Sequence, residues 1–240
     1  MQKTMLLQKT EKLSEQIHQK INEIQFDAHW FRRIFHTSAA SVLVYYVLPE
    51  ALWIQLLKII IPVWIVVGVT IIEYLRLRSI INNDEFFGLR PYEYRRPASY
   101  WYFSVALVIL LLGFPQQIAI PCILCASFTD PIMGEIRIRF GVQHSIGIGF
   151  FLSFIFYSII WYTAQPFGIG ILTTSLGAGV TVLSESLKNP YLDDDFLMQI
   201  LPAICIGILY LSCWSVGMNI LPKQSLIPLS SSTLQQLVIL

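Results

Sequence analysis

The chain has 240 residues, of which 55% are hydrophobic and only 13% are charged, and its mean hydropathy is +0.62. A soluble domain usually carries about 25% charged residues, so this composition excludes an ordinary water-soluble enzyme and favours a multispan membrane protein. The net charge of +1 gives no reason to expect a nucleic-acid partner.

The first 35 residues are polar and charged, and they precede the apolar part of the chain. Leu13, Ile17, Ile21 and Ile24 recur at helical spacing among alternating charges. This pattern predicts an amphipathic helix over residues 1–35 that lies on the membrane surface or against the protein body. A solvated N-terminal arm is the alternative.

Apolar runs then recur along the rest of the chain, and Pro49, Pro115 and Pro166 separate three pairs of them. The runs cover residues 37–49, 51–72, 98–113, 115–128, 147–164, 168–184 and 197–221. Several are shorter than the roughly 20 residues that a perpendicular membrane helix needs. The pattern predicts an all-α, polytopic membrane bundle of about seven transmembrane helices over residues 36–222, with a tail over 223–240.

The charges fall almost entirely on one side of these predicted spans. Every Lys and Arg except Lys58 and Lys223, and every Asp and Glu except Glu50, precedes the first span or lies in alternate loops. The positive-inside rule therefore predicts a multi-pass protein whose N-terminus and charged face are cytoplasmic. Any chemistry is expected on this face.

Two basic clusters on the charged face are candidate phosphate sites. Their main members are Arg32, His36, Arg76, Arg95 and Arg96. Guanidinium groups suit phosphate oxygens, although basic residues at a membrane boundary also serve as anchors or set the topology. Glu73 lies at the end of a long apolar run, where a carboxylate is costly without a partner, and Arg76 one turn later is its predicted charge partner.

Two acidic clusters are candidate metal sites. The carboxylates concerned are Asp130, Glu185, Asp193 and Asp194. Carboxylates crowded beside a membrane are costly unless cations neutralise them, and Mg²⁺ with a nucleotide would do so. Gly134 and Gly141, which follow Asp130, allow close approach of the backbone. The alternatives are an Asp130 that caps a helix and a solvated acidic turn near residue 194.

The sequence thus combines acidic residues that could bind a metal, arginines that could bind phosphates, and an apolar helical bundle. Together they indicate phosphoryl or nucleotidyl transfer onto a lipid. Phosphoryl transfer needs mainly positioning and charge neutralisation, which these residue types supply. The sequence contains no GxxxxGK[ST] motif, so a P-loop nucleotide site is not expected.

The same clusters resemble the motifs of the CTP-dependent lipid kinases. This family comprises dolichol, polyprenol and phytol kinases and the CTP-dependent diacylglycerol kinase, and it is distantly related to the phosphatidate cytidylyltransferases. The resemblance extends from about residue 30 to residue 221. Its motifs are Arg32 with His36, Glu73 with Arg76, Arg95 to Tyr100, Asp130 to Gly141, and Glu185 with Asp193 and Asp194.

The resemblance implies a kinase that transfers the γ-phosphoryl group of CTP to a lipid alcohol with the help of Mg²⁺. It implies catalytic roles for Asp130, Glu185 and Asp194, and metal binding by these three residues and Asp193. Phosphate contacts are implied for Arg32, His36, Arg76, Arg95, Arg96, Gly134, Gly141, His144 and Ser145.

The chain departs from the family pattern at four places, one of which is the family's Glu, which has no counterpart near residue 147. His144 stands where the family has Lys, Asp195 stands where it has Asn, and Arg137 stands where it has Gly. Two alternatives therefore remain open, namely a cytidylyltransferase that leaves CMP on the lipid and a divergent, non-catalytic member that only binds lipid. The lipid alcohol and the oligomeric state are not determined by the sequence.

Overall fold

The computed structural model describes residues 30–83, 86, 89–187 and 192–229, and every regular element within these ranges is helical. Most of the predicted N-terminal amphipathic helix lies outside the described residues. We name the helices α1 to α8 in chain order. α1 covers residues 30–39 and continues through a 3₁₀ turn, Ala40–Leu43, into a last turn, Val44–Val47.

α2, Leu52–Leu77, is a long apolar helix at the periphery of the bundle. Most of its side chains are exposed, including those of Trp53 and Trp64. A helix that is apolar on nearly all sides yet exposed is expected to face lipid. The segment after α2 contains a short 3₁₀ helix, Pro91–Arg95, and leads to α3, Ser99–Gly113.

α4 and α5 form one continuous rod with a π-helical turn at its centre. α4 is Gln116–Leu124, the π turn is Cys125–Thr129 and α5 is Asp130–Phe140. Pro131 has no N–H to continue the α-helical hydrogen-bond ladder at this point. Such single-turn π segments are rare and occur frequently at functional sites, and here the turn directly precedes Asp130.

The last three helices pack side by side against this rod. They are α6, Val142–Trp161; α7, Phe167–Ser186; and α8, Asp194–Ser215. Gly141, with a φ of 86°, separates α5 from α6 in a conformation that favours glycine. The buried apolar core lies between α3, α4, α6, α7 and α8.

Polar contacts close the end of the bundle at which α3 ends and α4 begins. The Trp161 indole N–H donates to the Gln117 carbonyl over 2.9 Å, and the Gln117 side chain donates to the Pro222 carbonyl over 2.9 Å. The Leu229 N–H donates to the Val47 carbonyl over 2.9 Å. The C-terminal segment thus packs over this end, away from the start of α3.

The structure confirms a helical protein with several possible membrane spans. Five helices among the described residues are long and apolar enough to cross a membrane: Leu52–Leu77, Gln116–Phe140, Val142–Trp161, Phe167–Ser186 and Asp194–Ser215. α3 has 15 residues, which gives about 22 Å at 1.5 Å per residue. The predicted count of seven spans is therefore not confirmed.

The helix boundaries also differ from the sequence prediction. The run predicted to end at residue 128 continues as helix to Phe140, and α6 begins at Val142 rather than at residue 147. Charged residues ended the apolar run in the sequence, but helical hydrogen bonding continues through them. As a result, Asp130 lies on a helix rather than in a loop.

Candidate functional site

The charged residues of several separate segments meet at one end of the bundle. They come from α1, the loop before α3, the start of α5, the end of α7 and the start of α8. They surround a polar cavity of about 150 Å³. Its histidine and charged lining residues are Arg32, Arg33, His36, Arg90, Asp130, Arg137, Glu185, Asp194 and Asp195.

The ring of His36 lies between two carboxylates. Its Nδ1 is 3.9 Å from Asp130 Oδ2, and its Nε2 is 3.6 Å from Asp195 Oδ2. Both distances exceed those of a hydrogen bond. The ring is held at its edge by Phe103, with 5.0 Å between the ring centroids. His36 is 8% exposed and Asp195 is 5% exposed, so both are buried, whereas Asp130 is partly exposed.

The start of α8 carries three consecutive aspartates with different surroundings. Asp193 is the N-cap, and its Oδ1 accepts the Asp195 N–H over 3.2 Å. Its Oδ2 lies 3.4 Å from Arg96 Nη2. Burial, together with the neighbouring carboxylate of Asp194, raises the pKa of Asp193 to about 6. Asp193 therefore has a structural role as a cap, whereas Asp194 and Asp195 line the cavity.

Two arginines provide the positive side of the cavity. Arg90 Nη1 lies 4.0 Å from Asp194 Oδ1, and the Arg90 guanidinium donates to the Tyr92 hydroxyl. Burial opposes the charge of Arg90, but the contact with Tyr92 and the nearby aspartates outweigh burial and raise its pKa. Arg32 Nη1 is buried and has no hydrogen-bond partner among the described residues. A phosphate oxygen would satisfy that donor.

Two further arginines of the cavity are already paired. Arg33 donates to Glu135, and Arg137 donates to both carboxylate oxygens of Glu185. The predicted metal ligand Glu185 therefore reaches the cavity in an ion pair.

Glu73 and Arg76 form a buried ion pair beside the cavity rather than in it. Arg76 Nε donates to Glu73 Oε2 over 3.0 Å. The Arg76 guanidinium also donates to the carbonyls of Glu93, over 3.0 Å, and of Arg96, over 2.8 Å. The Ala98 N–H donates to Glu73 over 2.8 Å. The pair thus holds the loop before α3 and does not line the cavity.

Glu93 and Ser99 form a second buried pair at the start of α3. The Ser99 N–H donates to Glu93 Oε1 over 3.0 Å, and the Ser99 hydroxyl donates to the same oxygen over 2.5 Å. The Arg90 N–H donates to Glu93 Oε2 over 2.6 Å. These contacts determine where the loop places Arg90 and Ser99.

Six of the residues predicted to contact phosphate do not line the cavity, namely Arg76, Arg95, Arg96, Gly141, His144 and Ser145. Arg95 is exposed on the loop, and Gly141 ends α5. His144 Nδ1 donates to the Phe140 carbonyl over 2.8 Å, and the Ser145 hydroxyl donates to the Met133 carbonyl over 2.9 Å. By contrast, the predicted residue Gly134 lines the cavity.

Several residues of the site were not selected from the sequence. Their polar members are Arg33, Arg90, Ser99, Arg137 and Asp195. Arg90 belongs to the same basic loop as Arg95, and Asp195 to the same acidic run as Asp194, so the charge pattern pointed to the right segments. Only the backbone path determines which member of each run faces inward.

A larger, apolar cavity of about 510 Å³ adjoins the polar one between α1, α2 and α3. Its apolar walls include Phe31, Phe35, Ile65, Val69, Ile72 and Leu89. Three residues, Arg32, His36 and Ser99, line both cavities. The two cavities therefore meet at a neck formed by these side chains.

The fold and the site define a class, namely an all-helical protein with helices suited to a membrane and a charged pocket that adjoins an apolar one. Comparison with known proteins finds no matching family model, no matching curated protein and no matching solved structure.

Proposed function

We propose that this protein is an integral membrane kinase that transfers the γ-phosphoryl group of a nucleotide to the hydroxyl group of a lipid alcohol. The observation that carries the proposal is the junction of a charged cavity with an apolar one at Arg32, His36 and Ser99. A reaction between a soluble triphosphate and a membrane alcohol needs two such compartments in contact. CTP is the proposed donor because of the motif resemblance.

The polar cavity would bind the phosphate chain of the nucleotide. Arg32 and Arg90 would contact phosphate oxygens, since guanidinium groups bind them through several N–H donors. Phosphoryl transfer depends mainly on positioning and on neutralisation of charge. The buried donor of Arg32 that lacks a hydrogen-bond partner supports this assignment.

A divalent cation, Mg²⁺ in the resembling kinases, would neutralise the negative charge of the phosphates. Asp130, Asp194 and Asp195 would hold it, and Asp195 Oδ2 has no hydrogen-bond partner among the described residues, which fits such a group. Glu185 would join them only after release from Arg137. Asp193 would contribute through the N-cap that orients the start of α8.

The apolar cavity would hold the lipid chain, because burial of its methylene groups is strongly favourable. The acceptor hydroxyl would then lie at the neck. The Ser99 hydroxyl directs its hydrogen to Glu93, so its oxygen would accept a hydrogen bond from the acceptor. Ser99 would thereby orient the acceptor hydroxyl towards the phosphate.

We also propose that α1 and α3 complete a bundle of about seven spans and that the cavity faces the cytoplasm. The distribution of Lys and Arg supports this orientation, because positive residues are retained on the cytoplasmic side. Labelling of single cysteines introduced on each side, in sealed vesicles, tests the orientation.

The kinase proposal is tested with the purified chain in detergent. Four γ-³²P-labelled nucleoside triphosphates are each combined with polyprenol, phytol and diacylglycerol. We expect label in a lipid phosphate, with CTP as the best donor. Release of pyrophosphate with CMP left on the lipid would identify a cytidylyltransferase instead. Lipid binding by folded protein without turnover for any nucleotide would identify a non-catalytic member and overturn the proposal.

A further inference from the structure

A cluster of one imidazole and two carboxylates lines the polar cavity, and its imidazole, His36, also lines the apolar one. His36, Asp130 and Asp195 each offer a ligand atom, and these atoms lie within 4.8 Å of one another. Two ligands that are each about 2.1 Å from one ion lie at most about 4.2 Å apart. Neighbouring ligands of one ion lie closer, about 3.0–3.4 Å apart, so side-chain shifts of up to about 1 Å would bring all three onto one ion.

The two neighbouring aspartates, Asp193 and Asp194, have arginine partners that this cluster lacks. Arg96 lies 3.4 Å from Asp193, and Arg90 lies 4.0 Å from Asp194. Within the described ranges, the ion pairs of Asp130 and Asp195 involve only His36. Arg90 acts on both carboxylates only at longer range. A buried carboxylate without a cation in contact is costly, so a bound cation would stabilise the cluster.

Two buried atoms of the cluster also lack hydrogen bonds. They are Nδ1 of His36 and Oδ2 of Asp195, in residues that are 8% and 5% exposed respectively. Buried polar atoms nearly always have a partner in folded proteins. Asp195 Oδ2 lies 3.6 Å from His36 Nε2, whereas Nδ1 faces Asp130 Oδ2 over 3.9 Å. A cation between Nε2 and Asp195 would therefore satisfy the unpartnered carboxylate oxygen.

We propose that His36, Asp130 and Asp195 form a binding site for a divalent transition-metal ion, of which Mn²⁺ is the probe, in preference to Mg²⁺. Mg²⁺ is held almost entirely by oxygen ligands and water. An imidazole ligand favours first-row transition ions. The inference deepens the proposed function, because the ion would lie beside the proposed phosphate site. Binding itself requires neither nucleotide nor lipid.

The proposal is tested by electron paramagnetic resonance on the full chain in detergent, titrated with Mn²⁺. We expect one bound equivalent with a ¹⁴N modulation from a directly coordinated imidazole. Mg²⁺ should displace it only at roughly tenfold or greater excess. A folded protein that binds no Mn²⁺, or binds it without nitrogen coupling, would overturn the proposal.

Three substitutions separate a ligand role from a structural one. His36→Asp keeps a donor but makes it an oxygen, so we expect Mn²⁺ binding without ¹⁴N modulation and with the preference over Mg²⁺ lost. Asp195→Asn should weaken Mn²⁺ binding by at least about tenfold. His144→Asn is the matched control, because His144 is exposed and its hydrogen bond among the described residues is to Phe140, at the end of the preceding helix α5. It should bind Mn²⁺ as the parent does.

If one of these variants does not fold, the other still tests the proposal. Size-exclusion profiles and thermal unfolding identify a misfolded variant. The metal binding of the remaining variant then decides whether the site exists. An unchanged preference in folded His36→Asp contradicts the proposal. Mn²⁺ bound through nitrogen without any phosphoryl transfer would overturn the kinase function alone. Transfer with Mg²⁺ and no nitrogen-coordinated ion would overturn the metal site alone.

Discussion

The arginines around the polar cavity have different structural roles. The Arg76 side chain is fully buried and donates to Glu73 and to two loop carbonyls. By contrast, Arg32 has a buried donor without a hydrogen-bond partner among the described residues. The contacts of Arg76 hold a loop in place, whereas the donor of Arg32 is available to a ligand. Residue type alone does not distinguish them.

Replacement of Arg76 should destabilise the fold rather than act on the chemistry alone. Arg76→Met leaves the buried Glu73 without its cation, and breaking a buried pair in this way costs about 3–5 kcal/mol. Thermal unfolding in detergent should show a large loss of stability. Arg78→Met is the control, because Arg78 is exposed two residues later, and it should change stability by less than about 0.5 kcal/mol. Equal losses in the two variants would contradict the structural role of Arg76.

At the scale of helices, close packing of α6 against α7 depends on a glycine. A Cβ atom added at Gly177 would lie 2.6 Å from the ring of Tyr157. Tyr157 is fully buried, so its ring has little room to move away. α7 ends at Ser186, and its last turn carries the Glu185 carboxylate to the cavity, so this packing also positions a residue of the site.

Gly177→Ala should therefore separate α6 from α7 and destabilise the bundle by about 1–3 kcal/mol. Gly179→Ala provides a matched control on the same helix, because a Cβ at Gly179 meets no atom within 4 Å. That control should be neutral or stabilising by up to about 1 kcal/mol, since alanine is the better helix former. Thermal unfolding of the two variants measures the difference. A Gly177→Ala variant as stable as Gly179→Ala would show that the contact is not tight.

At the scale of the whole molecule, the junction of the polar and apolar cavities is the main feature. α1, α2 and α3 enclose the apolar cavity, and the neck residues belong to α1 and α3. α2 thus contributes mainly apolar side chains to the wall of the apolar cavity. A bulky residue on its inner face should obstruct the lipid chain without touching the proposed phosphate site.

Val69→Trp is expected to fill part of the apolar cavity. It should raise the KM for the lipid alcohol by about tenfold or more and leave the KM for the nucleotide unchanged, because pocket shape determines ligand fit. Val67→Trp is the control, since Val67 is exposed and does not line the cavity. Steady-state kinetics in mixed micelles measure both constants. A rise in the nucleotide KM alone would contradict the assignment of the apolar cavity to the lipid.

Much of the architecture was accessible from the sequence because apolar runs and charge placement are local properties of the chain. The runs near residues 60, 105, 155, 175 and 205 all correspond to helices. The boundaries were less accessible. The charged residues within 130–140 lower the hydropathy of this segment but do not interrupt its helical hydrogen bonds. The helix therefore continues past the predicted end.

The sequence by itself determined that the chain is helical, that its surface is largely apolar and that its charges are confined to a few segments. Only the tertiary structure decided which charges pair with one another. Arg137 engages Glu185 and Arg76 engages Glu73, whereas His36 lies between Asp130 and Asp195. The sequence predicts helices but not these pairs because a hydropathy pattern depends only on residues that are close together in the chain. Electrostatic pairing depends instead on distances of a few ångströms between helices that are far apart in sequence.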